Sequence, residues 1–572
     1  MSVDGLRWQP PQATARAHSM RPVLFLVGQV LLAASAFMLL PLAVDLHAGH
    51  RDWTSFAMAT CVAALVGAGL AWPNRGMLRQ GLSRKQAFIL TPLSWTMVAA
   101  IGALPFYFSE QPQLGGNLAN SVFESVSGIT TTGATVMTRL EEAPPGILLW
   151  RALLQWLGGI GIIATAIAIL PTLGIGGMQL FRTESSDRSP KAMPRVRQIA
   201  MTIGGVYIGL TLLAVLVYWW AGMAIFDAVA HALSSIATGG YSTSDASFGA
   251  WESNGIQWFA AAFMLSGAVP FVLYVRMLAG DARAMFDRQV KAMLALVALV
   301  AMGMGLWLAA TGQYGLEAAF RHATFNVVSV ISTTGYSSTD YGLWGGGVVA
   351  VFFGLLFVGG CTGSTSGGIK IFRFEVTFVM LRAHFLRLVH PRGVFPRTYG
   401  PHVIPEEVIG SVVAFLAVYF ICYATGTIVL MGLGLDFLTS ASGAASALSN
   451  VGPGLGDVIG PAGTFGPLPA TAKWVLADAA GPAGSVHGAC PLPAQILARL
   501  SAGPEGGAQR PLQALRLSTS SRTLPSGSGR REARGGSSPI SDRVARDIMC
   551  ALTRAVRNRN TMISSSRGCR PV

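Results

Sequence analysis

Four short segments of this 572-residue chain combine threonine, serine and glycine as a bare cation's oxygen ligands require. They are Phe123–Thr135 (FESVSGITTTGAT), Phe226–Thr243 (FDAVAHALSSIATGGYST), Phe325–Thr339 (FNVVSVISTTGYSST) and Ser440–Gly456 (SASGAASALSNVGPGLG). Aligned on one glycine each, they put Gly133, Gly239, Gly335 and Gly452 in register, at spacings of 106, 96 and 117 residues. Repeats of this length mark a duplicated unit rather than a solenoid. Glycine admits backbone angles closed to other residues, so neighbouring carbonyls can turn toward one axis. Four such segments around that axis would offer rings of oxygen in place of a cation's water shell. One cluster alone reads better as a patch where membrane helices pack closely. Four in register, each between apolar spans, favour the ring.

The elements that position these segments are set by composition. The chain is 52% hydrophobic and 12% charged, with a mean hydropathy of +0.51. A soluble chain carries roughly twice that charged fraction, so this is a polytopic membrane protein, all-α in class. The net charge of +15 is uneven. From Ala477 to Val572 there are 14 Arg, no Lys and 5 acids, which leaves +6 for the rest. That remainder suits basic inner loops and gives no reason to expect nucleic acid. The six cysteines and nine histidines show no metal-ligand spacing or HExxH pattern.

Residues 1–20 read as a polar cytoplasmic segment. Two extra spans follow within 21–86, at Val23–Val44 and Trp53–Trp72, each near the ~20 residues needed to cross the hydrocarbon. No cleavage site follows the first, so it reads as a retained span. Four pore repeats then occupy 87–181, 182–290, 291–400 and 401–476. Repeat one has a span at Phe88–Phe108, a hairpin at Asn117–Thr135 and a span at Ile147–Leu170. Repeat two has spans at Ala200–Met223 and Gly255–Leu278. Repeat three has a span at Lys291–Thr311 and another from Trp344, and repeat four opens with Glu406–Leu433. Basic linkers separate them: Arg75, Arg79, Arg84 and Lys85; Arg182, Arg188, Lys191, Arg195 and Arg197; Arg276, Arg283, Arg288 and Lys291; Arg382, Arg387, Arg392 and Arg397. The positive-inside bias puts all of these in the cytoplasm. Acids follow the glycine segments instead: Glu141 and Glu142, Asp245 and Glu252, Asp340, Asp457. Only a span–hairpin–span unit, with its hairpin entering and leaving on one face, satisfies this alternation. The outer acids either attract cations to a mouth or are ordinary solvated loop residues.

The second span of repeat three is interrupted by GGCTGSTSGGIKIFR, Gly359–Arg373. Five glycines in ten residues, at 359, 360, 363, 367 and 368, each cost a helix ~1 kcal/mol. Ser364, Thr365 and Ser366 can satisfy freed backbone groups, and Lys370 with Arg373 sets the far end toward the cytoplasm. A flexible polar loop at 359–370, on the inner side of a ring of oxygens, is placed to act as a gate. Its alternative is a broken helix that only accommodates tight packing. An intramembrane enzyme would need paired Asp, a Ser/His pair or HExxH within spans, and none is present. Asp227 and His231 stand at helical spacing before the second segment and read as capping and packing residues.

SGITTTGAT, SSIATGGYST, ISTTGYSST and SNVGPGLG, with GGCTGSTSGGIK and the HPRGVFP stretch at His390–Pro396, resemble the Trk/Ktr/HKT superfamily of potassium transporters, most closely its bacterial Trk-type membrane subunits. The likeness covers about residues 20 to 476. It implies four membrane–pore–membrane repeats about one pore, behind two extra helices. It also implies a K⁺ filter, matched here by Thr131, Thr132 and Gly133; Ala237, Thr238 and Gly239; Thr333, Thr334 and Gly335; Asn450, Val451 and Gly452. An intramembrane gating loop, a homodimer in the inner membrane and a cytoplasmic NAD- or ATP-binding regulatory subunit follow from the same likeness, with K⁺ as transported ion and no other cofactor. The expected activity is potassium uptake. A Na⁺- or H⁺-coupled symporter is the alternative, which buried acids along the spans would favour.

The chain departs from that family after Leu476. The family's last span contains a Gly-Arg-Leu-Glu stretch, whose Arg approaches the gating loop, and closes near Phe-Trp-Arg. Here ADAAGPAGSVHGACPLPAQILAR follows, too rich in Gly and Pro to span. Back-translated from one base later within the Ala477 codon, the permitted codons allow L-M-L-L-G-R-L-E-V-F-T-V-L-V-L-F and, further on, K-F-W-R. Residues 477–572 are therefore expected to be an out-of-frame, disordered tail, and the chain an inactive remnant if the shift is present in the cell; the alternative is a genuine, divergent cytoplasmic tail.

Overall fold

The computed structural model of the protein describes residues 20–75, 82, 84–173, 192–251, 253–400 and 402–481. Residues 1–19, Arg79, Arg182, Arg188, Lys191, Glu252 and the tail 482–572 lie outside the described residues. Among those described, seven helices are long and apolar enough to cross a membrane, and one further pair of helices, sharply bent, makes either a broken span or a re-entrant loop. The protein is an all-α, multi-pass membrane protein.

Helices α1 (Arg21–Ala48) and α2 (Trp53–Ala71) form an antiparallel pair. Small residues bring them together: a side chain on Gly28 would lie 2.7 Å from the Gly67 carbonyl. Repeat one follows as α3 (Arg84–Gly102), α4 (Leu104–Phe108), α5 (Leu118–Ile129) and α6 (Pro145–Leu173). The expected span at Phe88–Phe108 is thus two helices, parted at Ala103 just before Pro105. Repeat two is α7 (Ala192–Trp220), α8 (Ile225–Ala237), α9 (Asn254–Ala268) and α10 (Phe271–Leu278). The expected span at Gly255–Leu278 bends by 93° between α9 and α10. Val269-Pro270 is the cause: proline offers no N–H to the preceding turn and pushes Val269 into extended backbone, at φ −83° and ψ 145°.

Repeat three is α11 (Arg288–Ala310), α12 (Leu316–Ile331), α13 (Gly346–Leu355) and α14 (Ile371–Val389), and a loop separates the last two. The loop closes on itself where β1 (Val358–Gly359) pairs in parallel with β2 (Ile369–Lys370), with Val358 opposite Ile369. A second small pair, β3 (Thr398–Tyr399) with β4 (His402–Val403), precedes repeat four. That repeat is α15 (Glu406–Gly432), α16 (Phe437–Ser449) and α17 (Ala470–Ala480), so helix continues past Leu476 through Ala480.

Each repeat holds one short helix directly ahead of its glycine segment: α5, α8, α12 and α16. Helix α5 has 12 residues, about 18 Å at 1.5 Å per residue, too little for a hydrocarbon core of about 30 Å. Helices this short do not cross the hydrocarbon by themselves. Two are capped by a side chain: Asn117 accepts from Asn120 N–H on α5, and Asp436 from Thr439 N–H on α16. Buried apolar residues form one large cluster across repeats two and three, and another joining α1 and α2 to repeats one and four.

Candidate functional site

All four of these short helices end in the same construction. Thr131, Thr238, Thr333 and Asn450 each leave the helix in the left-handed region, at φ between 52° and 58°. The next residue's N–H turns back to a serine carbonyl: Thr132 to Ser127 at 2.9 Å, Gly239 to Ser234 at 2.9 Å, Thr334 to Ser329 at 2.8 Å, Val451 to Ser446 at 3.0 Å. A glycine of positive φ follows each time: Gly133 at 82°, Gly240 at 86°, Gly335 at 84° and Gly452 at 102°.

These glycines close a ring. A Cβ on Gly133 would collide with the Gly239 carbonyl, one on Gly240 with the Thr334 carbonyl, and one on Gly335 with the Val451 carbonyl. The fourth returns to the first, since a Cβ on Gly452 would lie 2.7 Å from the Thr132 oxygen. Each segment therefore lies against the next in cyclic order, around one centre. Repeats one and four also touch through side chains, Thr132 Oγ1 donating to Asn450 Oδ1 at 2.8 Å.

The ring corrects the expected register in repeat two. Gly240, not Gly239, is equivalent to Gly133, Gly335 and Gly452, and the matching triplet is Thr238, Gly239 and Gly240. Ala237 is the last residue of α8 and takes the place of Thr130. Alignment on the glycine that directly follows threonine misplaced this segment by one. The serine would have fixed it: all four segments read Ser-x-x-x-Thr/Asn-x-Gly, from Ser127, Ser234, Ser329 and Ser446.

Behind repeat one stands a buried ion pair. Arg151 on α6 meets Glu124 on α5 at 2.7 Å, with both side chains at most 1% exposed. Glu124 Oε2 accepts the Val136 N–H, and Arg151 donates to the Ser242 carbonyl at 3.0 Å and lies 4.1 Å over the Tyr241 ring. The pair ties the chain after one glycine segment to the chain after the next. Four residues on, buried Gln155 bonds the Gly239 carbonyl at 2.7 Å. Sequence reasoning passed over Glu124, Arg151 and Gln155; their signal was a charged or amide side chain inside an otherwise apolar run.

Acids that follow the glycine segments have defined partners. Asp245 accepts the N–H groups of Arg139 and Leu140, and Glu141 accepts the Ser244 hydroxyl and the Asp245 N–H, a reciprocal brace between repeats one and two. Burial works to raise the Glu141 carboxyl, but those hydrogen bonds outweigh it and hold it below the ordinary 4.5. Asp340 accepts from Gly342 N–H and fixes a turn. Asp227 does not cap α8: it accepts from Thr243 Oγ1, while His231 bonds Asp227's carbonyl and Ser242 Oγ.

The loop of residues 359–370 packs directly on the ring. Thr365 Oγ1 lies 3.0 Å from the Gly267 carbonyl, 3.2 Å from the Ile236 carbonyl and 3.1 Å from Thr238 Oγ1. Gly367 N–H donates to Thr333 Oγ1, and a side chain on Gly367 would strike the Ser449 carbonyl. Repeats two, three and four are thus all in contact with it. On its other side the loop satisfies the broken span. Cys361 and Thr365 N–H groups donate to the carbonyls of Ala268 and Gly267, and Phe271 N–H donates to the Gly363 carbonyl. Gly359 pairs with Lys370, whose ammonium bonds the Ser366 carbonyl; Gly360 N–H donates to Ser366 Oγ, which pairs with Ser364 Oγ; and Gly368 turns the chain at φ 64°.

The chain matches the model of the TrkH family, described as cation transport protein, over residues 54–302 and 292–477. It is 46% identical to the Trk system potassium uptake protein TrkI of Halomonas elongata, covering 80% of this chain and 92% of that one. To the Trk system potassium uptake protein TrkH of Escherichia coli it is 34% identical, covering 80% and 94%. The crystal structure of the potassium transporter TrkH from Vibrio parahaemolyticus superposes with a TM-score of 0.75 at 33% identity, covering 83% of this chain and 98% of that one. With its repeats, its ring and its interrupted third repeat in place, the chain belongs to the TrkH family of cation transport proteins.

Proposed function

We propose that this protein takes up K⁺ through the ring formed by its four glycine segments. The cyclic contact of Gly133, Gly240, Gly335 and Gly452 with the next repeat's carbonyl is the observation that carries this reading. Carbonyls of Thr132, Gly239, Thr334 and Val451 then stand at one level around the axis and replace the ion's water. The relatives' names, potassium uptake protein and potassium transporter, support K⁺ as the ion. Membrane voltage supplies ~2.3 kcal/mol per charge per 100 mV for inward movement. A coupled symporter finds less support. Glu124, the buried acid nearest the ring, is neutralised by Arg151 and takes the Val136 N–H.

In this reading Gly359, Gly360, Gly363, Ser364, Thr365, Ser366, Gly367, Gly368 and Lys370 form the gate. The loop blocks the inner side of the ring until a cytoplasmic nucleotide-binding partner, working through the basic inner loops, draws it away. The protein acts as a homodimer in the inner membrane, its N-terminus in the cytoplasm. One observation favours a second reading, an inactive remnant of such a transporter: the family match stops at 477, where the back-translated frame departs. Uptake of ⁸⁶Rb⁺ into proteoliposomes, for this chain and for one carrying the restored frame, tests both. Flux in both supports the transporter, flux only in the restored chain supports the remnant, and flux in neither overturns the filter.

A further inference from the structure

We infer that Gln155 is the positioning residue of the repeat-two rung, standing in for a filter side chain that this repeat lacks and thereby setting discrimination among alkali cations. The inference rests on the filter reading above. At the level of the ring carbonyls, three repeats carry side chains, on Thr132, Thr334 and Val451, while the fourth has Gly239. The space is not empty. A Cβ on Gly239 would run into the Gln155 carboxamide and lie 2.8 Å from its Cγ. Gln155 reaches there from α6 and is wholly buried.

Its amide is oriented by groups of fixed polarity. The Tyr241 N–H can only donate, and it lies 3.1 Å from Oε1. Ser234 Oγ donates to the same oxygen at 2.6 Å. The Nε2 group must then face the Gly239 carbonyl, 2.7 Å away. In repeats one and three the matching serines behave differently: Ser127 Oγ donates to the Ala134 carbonyl and Ser329 Oγ to the Tyr336 carbonyl, each just past the filter glycine. Repeat two replaces that internal bond with a side chain from another element. The Gly239 oxygen alone among the four ring carbonyls has a side-chain amide donor in the described structure. Such a donor draws on the oxygen's lone pairs and fixes its direction. Both effects alter the field an ion meets at that rung.

Ion binding gives a test that does not require transport. Thermal unfolding of the purified full chain in lipid nanodiscs, titrated with KCl or NaCl at constant ionic strength, yields an apparent affinity for each ion by linkage. Q155M keeps the length of the side chain and loses its amide. It is expected to lower the K⁺:Na⁺ affinity ratio about threefold to tenfold, the range one neutral hydrogen bond supports. S234A keeps Gln155 and removes one of the two donors that orient it. It should shift the ratio the same way by a smaller factor, and it decides the matter if Q155M does not fold. A wild-type ratio in the folded variants overturns the role of Gln155 alone. A wild-type chain that no alkali ion stabilises removes the filter reading, and this role with it.

Discussion

At the scale of single residues, the corrected register makes a sharp distinction between two adjacent glycines. Gly240 has φ 86° and faces the Thr334 carbonyl, so alanine there meets both backbone strain and a rigid oxygen. The left-handed conformation alone costs a non-glycine residue about 1–2 kcal/mol. Gly239 has no positive φ, and the atoms in its way belong to the Gln155 side chain. We expect G240A to lower the unfolding temperature in either background. By contrast, G239A should be costly in the wild type and milder beside Q155A, with a coupling of about 0.5–3 kcal/mol in a double-mutant cycle. Equal cost of G239A in both backgrounds would return the register to the one read from the threonine–glycine pairs. The types and rough places of the ring residues were legible because Thr/Gly clusters are rare between apolar spans. The register in repeat two was not, because two consecutive glycines match the pattern equally well until the serine four residues before the left-handed position is counted.

At the scale of elements, the loop and the bent span explain each other. Pro270 breaks α9 from α10, and the carbonyls freed at Gly267 and Ala268 are taken by loop N–H groups. Glycine density made the loop visible in the sequence; Val269-Pro270 within one apolar run hid the bend, because hydropathy does not register a missing N–H. The Thr365 hydroxyl is the point where loop, bend and ring meet, with partners on Gly267, Ile236 and Thr238. T365V keeps the shape of the side chain and removes that hydroxyl. Hydrogen–deuterium exchange over residues 359–370 should then accelerate by about threefold to tenfold, since one net hydrogen bond contributes about 0.5–1.5 kcal/mol. The same change should raise unstimulated ⁸⁶Rb⁺ flux in a conducting chain. Faster exchange with unchanged basal flux would leave the loop a packing element and remove it as the gate.

For the whole molecule, the question is whether the fourth repeat is complete enough to hold the ring. Repeat one closes with α6, 29 residues long, whereas the described part of repeat four's closing helix is α17, 11 residues or about 16 Å. Its buried face is well placed. Lys473 donates to Asn120 Oδ1 and the Gly466 carbonyl, and Leu476 and Ala480 line, with Val126 and Phe123, a small gap behind the ring. The neighbour α15 is poorly covered by comparison, with 17% of its apolar window buried against 67% for the span at Pro145–Ile163. Phe420, Ile421 and Ile428 on α15 are exposed. Lipid covers such a surface by default, as it does on the span at Ala200–Trp220, 22% buried; a restored closing helix or a second copy of the chain could cover it instead, and the two differ in what they require. A restored frame extends α17 by apolar residues within the same chain and needs no partner. We therefore expect the frame-restored protein, held monomeric at high dilution in detergent, to unfold at a higher temperature than this chain. Both should then be compared at a concentration that permits dimers. If this chain regains the difference on dimerising, the bare face of α15 is a subunit contact and the tail is a tolerated replacement. A gap that persists at every concentration would mean that the ring's fourth quadrant depends on the closing helix that the restored frame would supply.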